Sequence, residues 1–319
     1  MEEVSSPSTA LTNYRTAGLH IASEMLLPGL TLCHDEIFLD AEILIRRAQV
    51  PGELESTKAV FPEGECNENE FLLIIPKVAR FLIRNGAEIL VQQERDSSTN
   101  DVIAYLIGTA FGILCHQRGI TPLHACAIDV TGGCVAFMGE SGAGKSTLAA
   151  TLAVRGYQVI ADDVCFLKLG EQGLVRAWPG VNRIRLWEGA MKALGCDGPG
   201  VEREIRAYNK YIIPIRPPQY PCEPRRLLQL YQLNSARVGE SATVSRLQGA
   251  AAVEIIMQNI YRLGLAENMG YKPAAFAFCA ATARAVPVFR FNRPMGFNLL
   301  AKGIDVLEDH LRASNWKWS

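Results

Sequence analysis

A chain of 319 residues, 49% hydrophobic and 20% charged, can bury a core, and this balance excludes the composition of a disordered segment. With a net charge of −1 and no strongly basic stretch, nothing favours binding along a nucleic-acid backbone, so no nucleic-acid partner is expected. The longest apolar run, 102–115, is shorter than the roughly 20 residues of a membrane helix; the acidic, polar start also lacks the form of a secretory signal, so the chain reads as cytoplasmic with no membrane partner.

In chain order, residues 1–10 read as a flexible tail. Residues 11–100 read as a small α+β domain with short strands at 36–46, 70–75, 79–83 and 89–93, broken by a polar, turn-rich segment at 62–69. Thr99, Asn100 and Asp101 offer an N-cap to an apolar run, and Gly119 offers a stop, which predicts one buried helix over 102–117. From 101 to 319 strand and helix alternate as in an α/β domain. A strand at 123–130, a Thr131-Gly132-Gly133 turn and a strand at 134–138 read as a hairpin. A glycine-rich loop, a helix over 145–155, a strand at 157–161 and another at 164–169 follow. Further strands are expected at 211–215, 227–233 and 286–291, and helices near 250–263, 273–283 and 297–313.

The nine cysteines form no CxxC pair and read as reduced, buried thiols. Cys33-His34-Asp35-Glu36 contains metal-ligand types. Neighbours on a strand point to opposite faces, however, and no second ligand pair follows, so a metal is not expected there.

Residues 139–146 carry the strongest chemical signal: Gly139-Glu140-Ser141-Gly142-Ala143-Gly144-Lys145-Ser146, followed by Thr147. This is GxxxxGK[ST] between an apolar strand and a helix, the context the motif requires. Glycines let backbone N–H groups form a concave nest for phosphate oxygens, and the helix N-terminus favours an anion. Lys145 can neutralise charge between the β- and γ-phosphates, and the Ser146 hydroxyl can serve Mg²⁺. The segment from Gly139 to Thr147 is therefore expected to hold a nucleotide.

Asp162-Asp163 ends the next buried strand, where two charges must face something that keeps them ionised. One can orient Mg²⁺ and the other can accept a proton from an attacking hydroxyl; the residues alone do not divide the roles. His124, in an apolar strand, is a weaker candidate on its own. Arg185 and Lys210 are candidate cations for a transferring phosphoryl group, whereas Arg203 and Arg206 read as surface charges.

Together Leu123-His124-Ala125-Cys126-Ala127-Ile128-Asp129-Val130, the Gly-Gly turn, the loop Gly139–Thr147, and Arg155-Gly156-Tyr157-Gln158-Val159-Ile160-Ala161-Asp162-Asp163 resemble the catalytic domain of HPr kinase/phosphorylase. The resemblance implies a P-loop domain of the HPr kinase/phosphoenolpyruvate carboxykinase-like type, behind the small N-terminal α+β domain. It implies ATP, Mg²⁺ and a serine phosphoacceptor. It also puts the general base on Asp162, the metal-side acid on Asp163 beside Ser146, and His124 near the phosphates. HPr kinases assemble into rings, so a homo-oligomer is compatible with the resemblance. The N-terminal part and the stretch Trp178 to Trp187 depart from the HPr kinase pattern. The stretch Gly29–Leu123, with Leu106-Ile107-Gly108-Thr109-Ala110 and Gln117-Arg118-Gly119, looks more like the HPr-kinase-related proteins beside peptide-modification genes, among them lasso-peptide kinases that phosphorylate a precursor serine. The expected function is therefore an ATP- and Mg-dependent serine kinase acting on a peptide or protein. A true HPr regulator, a small-molecule kinase on the same fold and a non-catalytic nucleotide sensor are the alternatives. A transporter ATPase would carry an LSGGQ-like signature and a later strand ending in Asp-Glu, and neither is present.

Overall fold

The computed structural model describes residues 10–33, 41–181, 183–196, 201–203, 210–214, 223–237 and 239–313, with backbone only at 202, 203, 210 and 214. The expected tail at 1–9, positions 34–40 and Cys222 lie outside these residues. Among the described residues no helix is long and apolar enough to cross a membrane.

The N-terminal part forms one nine-stranded sheet, in the order Thr31–Leu32, Thr12–Thr16, Leu19–Ser23, Ile43–Arg47, Glu88–Gln93, Ala79–Arg84, Glu70–Ile75, Gly64–Cys66 and Ala59–Phe61. The strands expected at 70–75, 79–83 and 89–93 are present and pair in antiparallel register. Their alternation turns Phe71, Leu73, Phe81, Ile83, Ile89 and Val91 into one core cluster. The described part of the strand expected at 36–46 is shorter and later, Ile43–Arg47. The first hairpin, which the sequence reading did not foresee, turns on Ala17 and Gly18, both at positive φ, as a two-residue hairpin loop requires.

The expected helix over 102–117 becomes a helix at Thr99–Tyr105, a π segment at Leu106–Ala110 and a helix at Phe111–Gln117. Its N-cap position is Ser98, without a side-chain cap bond, rather than Thr99, Asn100 or Asp101. The π turn lies where Tyr261 packs. A Cβ on Gly108 would stand 3.3 Å from the Tyr261 hydroxyl, and one on Gly112 would stand 3.2 Å from its ring. Apolar residues of this run share their core with the N-terminal sheet and with Val164 and Phe166 of the second sheet.

The second sheet carries the glycine-rich loop. Its main path runs Thr121–Leu123, Cys165–Leu169, Val175–Trp178, Arg225–Ser235, Gly133–Met138, Ala125–Val130 and Val159–Ala161; Val288–Arg293 pairs with Arg225–Ser235. Gly133–Met138, Arg225–Ser235 and Val288–Arg293 are mutually parallel, and their carboxyl ends therefore meet on one edge. Side chains alternate across the sheet. Val135 and Phe137 pack with Leu148 of the loop helix Lys145–Val154 and with Leu300, Ile304, Leu307 and Leu311 of helix Phe297–Ala313. The small residues Cys134 and Ala136 face Ala252, Ile256, Ala275 and Cys279, from helices Gly249–Gln258 and Lys272–Ala285. Helices thus cover both faces, as expected for an α/β arrangement. A separate three-stranded sheet, Arg183–Trp187, Lys210–Pro214 and Glu202–Arg203, stands beside the loop edge.

Two expected elements are broken, each by a distant backbone partner. The strand at 123–130 divides at His124, whose N–H donates to Asn259 O at 2.7 Å. Thr121–Leu123 then pairs with Cys165–Leu169, while Ala125–Val130 pairs with the loop strand. The helix near 250–263 ends at Gln258; Tyr261 N–H then donates to Pro122 O at 2.8 Å, and Arg262 takes a left-handed φ before the short helix Leu263–Asn268.

His116, buried on the Phe111–Gln117 helix, lies 3.0 Å from Tyr261 O through Nε2. Burial pushes its pKa below the usual histidine value, against the opposing effect of that hydrogen bond. The folded state therefore binds this proton less readily than the unfolded chain. This contribution to stability is intact above the unfolded value of about 6.5 and falls away as pH drops below it. Urea midpoints are expected to be lower at pH 5.5 than at pH 7.5, with a smaller gap in His116→Gln. An equal gap in the variant would show that His116 is not responsible.

Candidate active site

The loop Gly139–Ser146 leaves the carboxyl end of the central strand Gly133–Met138 and enters helix Lys145–Val154. Gly142 and Gly144 take φ values of +88° and +83°, which side-chain-bearing residues rarely adopt, and so permit the nest. Ser141, Gly142, Gly144, Lys145, Ser146 and Thr147 line a cleft of about 290 Å³ together with His124, Asp163, Arg185, Trp187 and Arg293. Gly139, Glu140 and Ala143, expected with them, do not line it. Lys145, buried to 6% exposure, donates through Nζ to Gly139 O at 2.6 Å and to Glu140 O at 3.0 Å, while Ala143 O accepts from Arg293 at 2.8 Å.

The two aspartates part company. Asp162 is buried, and its Oδ2 accepts from the Arg185 N–H at 2.9 Å. Burial first, and then the adjacent Asp163 charge, push the Asp162 pKa above the usual carboxylate range. Ser146 acts on this carboxylate in the opposite sense to burial, holding its pKa down. Its Oδ1 is buried without a hydrogen-bond partner. Asp163 takes a left-handed φ of +68°, a conformation that costs of order 1–3 kcal/mol, and lines the cleft. There it pairs with the Arg185 guanidinium and stands 3.5 Å from His124 Nε2. The His124 ring also meets Tyr261 edge-on, with centroids 6.0 Å apart.

Sheet geometry explains this convergence. Val159–Ala161 runs parallel to the loop strand with one antiparallel strand between them, so Asp162-Asp163 emerges on the loop edge. His124 precedes Ala125, which pairs with Met138 at the same edge. Arg185 comes from the separate small sheet, on the same strand as Trp187. Lys210 begins a strand in that sheet and pairs in backbone register with Trp187; its side chain lies outside the description.

Sequence reasoning missed Arg293, which closes strand Val288–Arg293 at the carboxyl edge. The expected strand stopped at Phe291; a cation two residues beyond it, on the edge where α/β ligands bind, was the available signal. The apolar mouth was missed as well: Trp187, Met295 and Phe297 line the cleft while remaining about half exposed.

Among the described residues, no group of three or more His, Cys, Asp or Glu forms a metal cluster. The residues present still fit Mg²⁺, which is usually bound through one or two carboxylates plus substrate phosphates. The buried, unpartnered Asp162 Oδ1 and the Ser146 hydroxyl, which lines the cleft, provide oxygen donors of that kind.

No family model matches the sequence. Over 144 residues the chain is 30% identical to an HPr kinase/phosphorylase from an Exiguobacterium species, covering 42% of this chain and 46% of that protein. Over 48 residues it is 44% identical to the HPr kinase/phosphorylase of Geobacter sulfurreducens, covering 15% of each. The matches thus span less than half the length of these curated relatives. The solved HPr(Ser) kinase/phosphatase of Coxiella burnetii aligns with 61% of this chain and 98% of its own, at 15% identity and a TM-score of 0.32. By these sequence matches, the chain is similar to HPr kinase/phosphorylases over less than half of its length.

Proposed function

We propose that the chain is an ATP- and Mg-dependent kinase that transfers the γ-phosphoryl group to a serine hydroxyl of a peptide or protein. The observation that carries this reading is the convergence of the phosphate loop, His124, Asp163 and Arg185 on one cleft. The loop N–H groups and Lys145 hold the donor phosphates. Asp162 takes the metal side together with Ser146, and Asp163, facing the cleft, takes the acceptor side. This is the reverse of the assignment implied by the resemblance. Support for the exchange is accessibility: an acceptor hydroxyl must come within hydrogen-bond reach of its base, and only Asp163 of the pair lines the cleft. Mg²⁺, when bound by Ser146 and Asp162, would neutralise charge on the donor phosphates. The acceptor oxygen forms its bond to γ-phosphorus as the bond to the ADP oxygen breaks, and its proton passes to Asp163. Arg185 beside Asp163 faces the spread negative charge of the loose transition state, and His124 helps orient the acid.

The division at residue 100 is likewise a proposal. It leaves all but the first two residues of the run Thr99–Gln117 with the catalytic part, although that run's core is shared with the N-terminal sheet, so the helix acts as the joint. A cytoplasmic setting and a homo-oligomer complete the proposed picture.

The acceptor is tested by incubating the protein with γ-labelled ATP, Mg²⁺ and a panel of serine peptides, HPr and small hydroxyl compounds. Label on a peptide serine, absent when that serine is alanine, is the expected result. Label confined to a small molecule would replace the acceptor class. Label on HPr alone would make the chain an HPr regulator.

A further inference from the structure

Arg293 presents an unbalanced charge. It is 4% exposed, yet among the described residues no carboxylate pairs with it, whereas the partly buried Arg225 holds Asp129 through two hydrogen bonds. Its Nη2 donates to Ala143 O at 2.8 Å and reaches Gly144 O at 3.5 Å, while its Nε is buried without a hydrogen-bond partner. Burial pushes its guanidinium below the usual arginine pKa. The loop is shaped around it: a Cβ on Gly144 would stand 2.3 Å from Nη2. Parallel register sets Arg293 opposite Ser235, on the strand whose Gln232 pairs with Met138 just before the loop. A buried cation is ordinarily paired, and an unpaired one in a cleft calls for an anionic ligand.

We propose that Arg293 is a phosphate-binding residue, which fixes the Ala143–Gly144 segment through Nη2 and presents its charge and remaining N–H donors to a phosphate oxygen of the donor. This rests on the reading of the loop as a nucleotide-phosphate cradle. Arg293 is the cradle's counter-charge from the same carboxyl edge of the sheet, supplied by a strand two places from the loop strand and outside the motif. Because its charge is uncompensated until an anion arrives, it costs stability in the ligand-free protein and returns it on binding.

The probe is inorganic tripolyphosphate with Mg²⁺, titrated calorimetrically into the full chain and its Arg293→Met, Arg293→Lys and Lys145→Ala variants, with melting temperatures taken without ligand. Arg293→Met is expected to weaken binding about tenfold to a hundredfold, the range of one hydrogen bond to a charged group, with an unchanged or higher ligand-free melting temperature. Arg293→Lys is expected to fall between, and it serves as the test should the methionine variant fail to fold. Wild-type affinity in Arg293→Met would overturn the proposal. So would a loss of affinity matched by a fall in melting temperature in both Arg293 variants, because that pattern marks a strut for the loop. If Lys145→Ala loses tripolyphosphate and Arg293→Met keeps it, Arg293 alone is misassigned. If the folded wild type takes no tripolyphosphate, the cradle reading fails and this proposal fails with it.

Discussion

Replacing Lys145 with alanine is expected to lower kcat/KM for phosphoryl transfer by about a thousandfold, or about 4 kcal/mol of transition-state stabilisation. The ammonium group has nowhere else to go. Lys145 is nearly buried, its Nζ held by Gly139 O and Glu140 O at the mouth of the nest. Removing it takes away the loop's cation and leaves two loop carbonyls without that donor. Both donor affinity and turnover should suffer, the second more, because charge on the transferring group is most exposed in the transition state. Measuring Kd for ATP alongside kcat separates the two. An alanine variant within tenfold of wild type in kcat/KM would mean that the loop does not handle the transferred group.

The second large effect couples activity to stability. Asp162→Asn is expected to reduce transfer by about a hundredfold or more, since the carboxylate proposed for the metal side is lost. The same change should raise the melting temperature of the ligand-free protein by about 2–4 °C for each kcal/mol of desolvation it relieves. Burial raises the Asp162 pKa, so the folded state prefers the protonated acid. Its stabilising contribution is present below the unfolded value of about 3.9 and is lost as pH rises through the folded value, which leaves the charged form costly at neutral pH. The amide keeps an acceptor for the Arg185 N–H at lower desolvation cost. A destabilised but active variant would contradict the assignment of Asp162 to the metal side.

What was legible in the sequence is what short stretches of chain decide. The glycine-rich loop is written in consecutive residues because its turn is local backbone chemistry, and its glycines at 142 and 144 do take positive φ. The meander over 70–93 is legible because its turns and alternation are local. Helix Phe297–Ala313 matches its expected bounds because Leu300, Ile304, Leu307 and Leu311 mark one face. The misses arise from distant contacts. Asn259 O breaks the histidine strand, Tyr261 abuts the π turn, and Pro122 O draws Tyr261 out of a longer helix. Arg293 reaches the loop only through strand order, and a single sequence does not write strand order down. The polar hairpin Thr12–Thr16 with Leu19–Ser23 escaped notice because its strands carry mixed polar and apolar residues, and its Gly18 is fixed by Trp178, against whose ring a Cβ would come within 2.7 Å.

The most direct test of the account is phosphorus NMR of ATP incubated with the protein, Mg²⁺ and an accepted serine peptide. The account predicts that the γ resonance falls while a phosphomonoester resonance and ADP rise together, one for one, and that neither rises in Lys145→Ala. Inorganic phosphate in place of the phosphomonoester would make the chain an ATPase, and unchanged ATP under saturating binding would make it a nucleotide sensor; either result would contradict a phosphotransferase.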